Sequence, residues 1–165
     1  MAESGAAPTK KEINFLGDNM DIFTNPEEAA VKNLLSASGL PIADISAQHL
    51  HHFFGFASGG ELLGIVGLEL YAEVALLRSL AVASSRRGAG LGSDLVKHAE
   101  RYARDHGVKF LYLLTTTAES FFLRRGYDST PREGAPDAIK ATKEFAGICP
   151  LSSAFMVKRL WSQPL

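Results

Sequence analysis

The stretch Arg86-Arg87-Gly88-Ala89-Gly90-Leu91-Gly92-Ser93 decides the reading of this chain. Before it lies a strand-like apolar run, Glu73 to Val82; after it Leu91, Leu95, Ala99 and Tyr102 recur at helical spacing as far as His106-Gly107. Glycines let a backbone turn with positive φ and let a ligand approach where a Cβ would stand. Successive amides at a helix start then face the ligand, with the positive end of the helix dipole behind them. Arg86 and Arg87 can add charge-assisted contacts, so the turn reads as an anion site. A plain strand-to-helix turn that uses glycine for geometry alone is the bland alternative. Two phosphate loops fail here. A Walker loop requires Lys after its last glycine, and no lysine follows Gly92. A dinucleotide fingerprint from Gly88-x-Gly90 requires Gly or Ala where Ser93 stands, and normally follows the first strand of a βαβ unit.

Working outward, a helix is expected from Asn25 to Gly39, with Pro26 in its first turn and Ala30, Val31, Leu34 and Leu35 as its apolar stripe. The segment from Ile42 to His51 connects onward. Strands follow at His52 to Ala57, Glu61 to Leu70 and Glu73 to Val82, joined by short turns that imply an antiparallel meander. Lys109 to Leu114 is a compact strand, and strand–helix–strand makes a right-handed crossover, so the strands at Val82 and Phe110 should run parallel. A short helix near Ala118 to Arg124, a helical stretch at Asp137 to Ile148 and a last strand at Ala154 to Leu160 complete the chain. The fold class is α/β leaning to α+β: a mixed, mostly antiparallel sheet with a central parallel pair and helices on both faces.

At 165 residues the chain is one domain. Residues 1–12 read as a disordered lead or an expression-derived tail, and 13–165 as the single domain. Seventeen Lys and Arg against eighteen Asp and Glu leave a formal charge of −1. With no basic excess, nucleic acid is not the expected partner. The single cysteine, Cys149, excludes an intrachain disulfide and suits a reducing compartment. Apolar runs are far shorter than the ~20 residues a spanning helix needs, so no membrane partner is expected and the cytoplasm is the default location.

Arg87-x-x-Gly90-x-Gly92 resembles the Arg/Gln-x-x-Gly-x-Gly/Ala turn of the GNAT superfamily of N-acetyltransferases, and the order of elements from about Asp21 to Leu160 is similar to that of a GNAT domain. Gly64-Ile65-Val66-Gly67-Leu68-Glu69, Ala75 to Val82, Leu111 to Glu119, Phe121 to Tyr127, Glu144-Phe145-Ala146 and Cys149-Pro150 look like the arsenic-resistance N-acetyltransferase group. The resemblance implies acetyl-CoA as co-substrate and no metal. Arg87, Gly88, Ala89, Gly90, Leu91, Gly92 and Ser93 would hold the pyrophosphate. Leu80, Ala81 and Val82 would flank the pantetheine arm in a gap between splayed parallel strands. The family's Asn and its Tyr are replaced here by Thr115 and Phe122, and that Tyr commonly protonates the departing thiolate. No strong general acid is therefore expected.

For the chemistry, an amine must be oriented against the thioester and lose a proton. The backbone N–H near Ala81 or Val82 suits the oxyanion. Glu69 is the first choice as base, acting through water, with Glu73 as the surface alternative. Pleat alternation places Arg78, Leu80 and Val82 on one face and Leu77, Ser79 and Ala81 on the other. Arg78, set among Leu76, Leu77 and Leu80, needs a partner: a substrate carboxylate or oxyacid, or an internal Glu69 or Glu73. Ser79, His52 and Thr115 complete the expected acceptor site. His49 and His51 lack an adjacent further metal ligand, and Cys149 reads as a small buried hydrophobe. Trp161 lies in a short tail that could cover an interface, and dimers are common in such folds. The expected activity is N-acetylation of a small anionic amino-acid-like compound, an arsenic-containing or phosphinic analogue being the specific case. The alternatives are acetylation of a protein N-terminus, lysine or polyamine, and a non-catalytic acyl-CoA sensor.

Overall fold

A computed structural model describes residues 21–160. The expected lead at 1–12 and Trp161 lie outside the described residues. β1 (Ile22–Thr24) enters α1 (Glu28–Ala37), which buries Val31, Leu34 and Leu35. A short α2 (Ala47–Leu50) follows within the expected connector. β2 (Phe53–Ser58), β3 (Glu61–Tyr71) and β4 (Val74–Val82) form the meander. A single 3-10 turn at Ser84–Arg86 and the glycine turn lead to α3 (Leu91–Asp105). Then come β5 (Phe110–Thr115), α4 (Glu119–Leu123), β6 (Asp128–Ser129), a 3-10 turn at Arg132–Gly134, α5 (Asp137–Lys140) and β7 (Ala154–Arg159).

The sheet runs β1-β2-β3-β4-β5-β7-β6, and β4–β5 is its parallel pair, as the crossover requires. α3 covers one face through Leu91, Leu95, Val96 and Ala99, packed on Phe54, Val66, Leu77 and Leu113. The other face carries two clusters: α1 with Ile45, Phe53, Ile65 and Ala81, and the C-terminal segment with Leu76, Ile139 and Phe155. Gly67 is fixed by this packing, because a Cβ there would overlap the Phe53 ring, which is fully buried.

Several features depart from the sequence reading. The first helix opens at Glu28 behind the N-cap Glu27, so Pro26 stands before its first turn and not in it. The short edge strands β1 and β6 are additional. The helical stretch expected over Asp137 to Ile148 breaks after Lys140: the Thr142 hydroxyl donates to the Ile139 carbonyl at 2.7 Å and accepts from the Phe145 N–H at 3.2 Å, and Glu144–Ile148 resumes as a π turn. Finally, β4 bulges. Ile65 faces Ala81 and Gly67 faces Arg78, so Ser79 and Leu80 together oppose Val66, and Ser79 sits at φ 60°. The bulge breaks the expected pleat grouping. Leu77, Leu80 and Val82 pack on the α3 side and Leu76 and Ala81 on the other, where Arg78 also lies among groups from the α1–α2 connector and the π turn.

Candidate active site

The β4–β5 ladder runs from Val74 opposite Phe110 to Leu77 opposite Leu113 and stops there. Beyond that point β4 stays paired with β3 as far as Val82, and β5 stays paired with β7 as far as Thr115. The two parallel strands therefore splay, each held by its outer neighbour. The gap forms a cavity of about 110 Å³ whose walls include Ser79, Leu80, Thr115, Phe122, Glu144 and Cys149.

A second hollow, of about 380 Å³, lies over the glycine turn and is lined by Val82, Arg86, Arg87, Gly88, Gly90, Leu91, Gly92 and Ser93 with Phe121 and Arg125. Ala89 stands exposed in the turn outside that lining. Gly88 and Gly90 hold φ of 84° and 88°, the left-handed region that a side chain adopts only with strain. Gly90 is the N-cap of α3 and carries no capping side chain, so the first-turn amides of Leu91, Gly92 and Ser93 remain available to an anion. Arg87 donates from Nε to the Val82 carbonyl at 3.0 Å, which ties the turn to the end of β4.

Arg125 belongs to the same hollow. Its guanidinium lies 3.6 Å from the centre of the Phe121 ring and donates from Nη1 to the Phe121 carbonyl at 2.8 Å. Its Nε is buried without a hydrogen-bond partner, one of two such side-chain atoms among the described residues. Two fixed arginines, uncapped amides and an orphaned donor make a site of the charge and geometry that a diphosphate needs.

Arg78 forms the electrostatic centre of the neighbouring wall. Its side chain is fully buried. Nη1 donates to Asp44 and to Glu69, each at 2.6 Å; Nη2 donates to Asp44 at 2.8 Å and lies 3.1 Å from Glu144; Nε donates to Ser79 at 3.1 Å. Of the internal partners weighed above, Glu69 is the one found, while exposed Glu73 pairs with Lys109 instead. Asp44, which carried no sequence signal, is the bidentate partner. Burial pushes the Asp44 carboxyl up, but the hydrogen bonds and charge of Arg78, with His49 adding, hold it below the usual range.

Glu69 and His52 line a separate groove with Gln48, His49 and Tyr71. Both Glu69 oxygens are engaged, Oε1 accepting from the Tyr71 hydroxyl at 2.6 Å and Oε2 from Arg78. His52 is held below its ordinary pKa by burial and by His106 and His51. The structure thus gathers Arg78, Ser79, Leu80, Thr115 and Phe122 at the cleft and leaves Glu69 and His52 on the far side of the Arg78 cluster. Ligand atoms of Asp44, His49 and Glu69 lie within 4.8 Å of one another, but Arg78 Nη1 already supplies the cation that bridges the two carboxylates.

Few proton donors serve the cleft. Phe122 has none and packs edge-on against Tyr127, whose hydroxyl is committed to Glu100 at 2.8 Å. Thr115 accepts from the Ala118 N–H at 3.0 Å. Burial and Glu144 push the Cys149 thiol up to about 12, far from a nucleophilic thiolate.

Residues 19–127 match the sequence model of the acetyltransferase (GNAT) family. The chain belongs to the GNAT acetyltransferase family. An uncharacterized N-acetyltransferase of Chlorobaculum tepidum is 33% identical over 93 residues, which is 56% of this chain and 59% of that protein. The amino-acid acetyltransferase of Ralstonia nicotianae is 36% identical over 80 residues, 47% of this chain but only 18% of the larger protein. The GNAT domain described here thus matches only part of the length of these relatives. Its fold is that of N-acetylglutamate synthase from Neisseria gonorrhoeae complexed with coenzyme A and L-arginine, with a TM-score of 0.70 at 22% identity over 84% of this chain and 32% of that one. A Mycobacterium tuberculosis protein in complex with CoA superposes with a TM-score of 0.67 at 15% identity, over 85% of this chain and 99% of that one. No helix of this GNAT chain, among the described residues, is long and apolar enough to cross a membrane.

Proposed function

We propose that this GNAT domain is an acetyl-CoA-dependent N-acetyltransferase that acetylates the amine of a small amino-acid-like compound by direct transfer in a ternary complex. The observation that carries the reading is the junction at Val82, where the splayed gap of β4 and β5 meets the uncapped glycine turn. In this reading Arg87, Arg125 and the amides of Gly88 to Ser93 hold the diphosphate. The backbone of Leu80, Ala81 and Val82, freed from β5, pairs with the pantetheine arm, and an N–H near Ala81 or Val82 meets the oxyanion. Phe122 walls the arm and donates no proton, and a thiolate, far less basic than an alkoxide, is a tolerable leaving group without one.

Relatives named amino-acid acetyltransferases support an amino-acid-like acceptor. Its anionic group, a carboxylate or an arsinate or phosphinate in its place, would bind Arg78 by displacing Glu144, whose 3.1 Å contact is the longest of the three carboxylate contacts. Glu69 then acts through Arg78 as a positioning group. A second reading follows from the same cluster: with the Arg78 donors directed at internal groups, a cationic acceptor such as a lysine or polyamine meets no free positive charge there. Calorimetric titration with acetyl-CoA, followed by thiol-release assays on amino acids, arsinate and phosphinate analogues, polyamines and peptides, tests both. Saturable binding with turnover of the amino acids or their analogues is expected. Binding with no turnover on any acceptor would make the domain an acyl-CoA sensor, and no binding would refute the reading altogether.

A further inference from the structure

We propose that Glu144 is the proton acceptor of the cleft, its carboxylate taking a proton from the acceptor's ammonium group before attack. The assignment rests on the acetyltransferase reading and deepens it. Three carboxylates surround Arg78, and Glu144 alone lines the gap between β4 and β5. Asp44 is locked bidentately onto the guanidinium, and Glu69 opens onto the other groove with both oxygens engaged. Glu144 is held less firmly. Among the described residues, its Oε2 lies 3.1 Å from Arg78 Nη2 in an ion pair, and its Oε1 accepts only the weak Cys149 thiol at 3.6 Å. It hangs from the π turn that follows the break at Thr142, which aims it into the cavity beside Ser79 and Thr115.

The charge balance favours proton uptake at this position. The groups that act on Glu144 are Arg78 from β4, Asp44 from the segment before α2, Glu69 from β3 and Cys149 from its own loop. Fully ionised, three carboxylates against one guanidinium leave two surplus negative charges. Tyr71 donates to Glu69, so that corner has a second donor besides Arg78. Among the described residues, Glu144 has only Arg78 and a protonated thiol. Burial raises its carboxyl, Arg78 and the Cys149 hydrogen bond oppose the rise, and Asp44 and Glu69 add to it. A carboxylate that binds protons more tightly than usual is a better base toward an ammonium.

The protons balance. The acceptor enters as R–NH3+, and Glu144 takes one proton to leave R–NH2 beside a neutral carboxyl. The amine nitrogen attacks the thioester carbonyl, the C–N bond forms and the C–S bond breaks. A second N–H proton passes to the departing thiolate, giving the free thiol, and one stays on the amide. Glu144 returns its proton to water once the product leaves.

The test is Glu144→Gln, assayed by thiol release with the best acceptor of the panel between pH 6 and 9.5. Gln keeps the shape and removes a surplus charge, so the melting temperature and the acetyl-CoA affinity are expected to hold. At pH 7, kcat/KM should fall by about 100-fold or more, and should then recover about tenfold per pH unit toward the amine's own pKa, where solution supplies the free base. Glu144→Asp, which retains a carboxylate, should keep the wild-type pH dependence at a reduced rate. A Gln variant within about threefold of wild type at pH 7, or one equally depressed at every pH, would overturn the assignment while leaving the acetyltransferase reading intact. Wild-type protein that turns over no acceptor would overturn both.

Discussion

Replacing Arg78 by Met removes the guanidinium shared by Asp44, Glu69 and Glu144 and keeps much of its buried length. In the wild type, contacts of 2.6, 2.6 and 3.1 Å bind the three carboxylates to one group. Removing one partner of a buried ion pair costs about 3–5 kcal/mol, because the remaining charge is uncompensated. That cost has a ceiling, since a stranded carboxylate can protonate. For a carboxyl with a pKa near 4, protonation at pH 7 costs about 4 kcal/mol and at pH 5 only about 1.4 kcal/mol. The loss is therefore expected to be large at pH 7 and to shrink as pH falls. The wild type moves the opposite way. The folded-state pKa of Asp44 lies below its unfolded value, so its contribution is present above the unfolded value and is lost as pH falls through the folded one. The two stability curves should converge on acidification. At about 2–4 °C per kcal/mol for a chain of this size, the gap at pH 7 corresponds to roughly 6–20 °C in melting temperature. Thermal unfolding followed by circular dichroism at pH 5, 6 and 7 measures it. A gap below about 1 kcal/mol at pH 7, or one constant across the range, would refute the reasoning.

Other perturbations probe the remaining parts. Arg125→Ala is expected to weaken acetyl-CoA binding about tenfold, the scale of one charge-assisted contact, while leaving the affinity for a short acetyl thioester that lacks the diphosphate unchanged; calorimetry with both ligands decides. Gly90→Ala places a side chain at φ 88°, at a cost of about 1–2 kcal/mol in strain, and should both lower the melting temperature and raise the acetyl-CoA dissociation constant. His98 packs edge-on against Phe54, and burial, with Arg101 adding, lowers its pKa from 6.5. The folded state therefore resists its protonation, and stability present above pH 6.5 is lost as pH falls toward the folded value. His98→Gln should flatten that part of the denaturation profile, and an unchanged slope would contradict it.

Most of the architecture was legible because it follows from periodicity. The stripe of Leu91, Leu95 and Ala99, the short turns of the meander and the crossover between two apolar strands lead to the β2-β3-β4-β5 part of the observed sheet. The glycine turn was equally plain, since positive φ at Gly88 and Gly90 is what glycine permits and other residues resist. The cleft wall was legible only in part: Arg78, Ser79 and Thr115 stand there as expected, but the bulge and the groups around Arg78 were not legible, for three physical reasons. Ser79 in the left-handed region carries no glycine to announce a bulge, yet it turns every later β4 side chain to the opposite face. Asp44 meets Arg78 across 34 residues of chain, a pairing that local spacing cannot express. Glu144 reads as part of a continuous helix until the Thr142 hydroxyl takes up the Ile139 carbonyl and the helix breaks. Arg125 owes its place at the glycine-turn hollow to the Phe121 ring that orients it, a contact that local spacing does not express.

The splay of β4 from β5 has a consequence for how the sheet can come apart. Ordinary sheets are weakest at their rims, where one flank of a strand lacks a neighbour. Here, among the described residues, two interior strands each present a bare flank as well, Leu80 to Val82 on one side and Leu114 to Thr115 on the other, so a seam opens inside the sheet and not only at its rims. A narrow chain carrying its own amides can bridge that seam by pairing with those bare flanks.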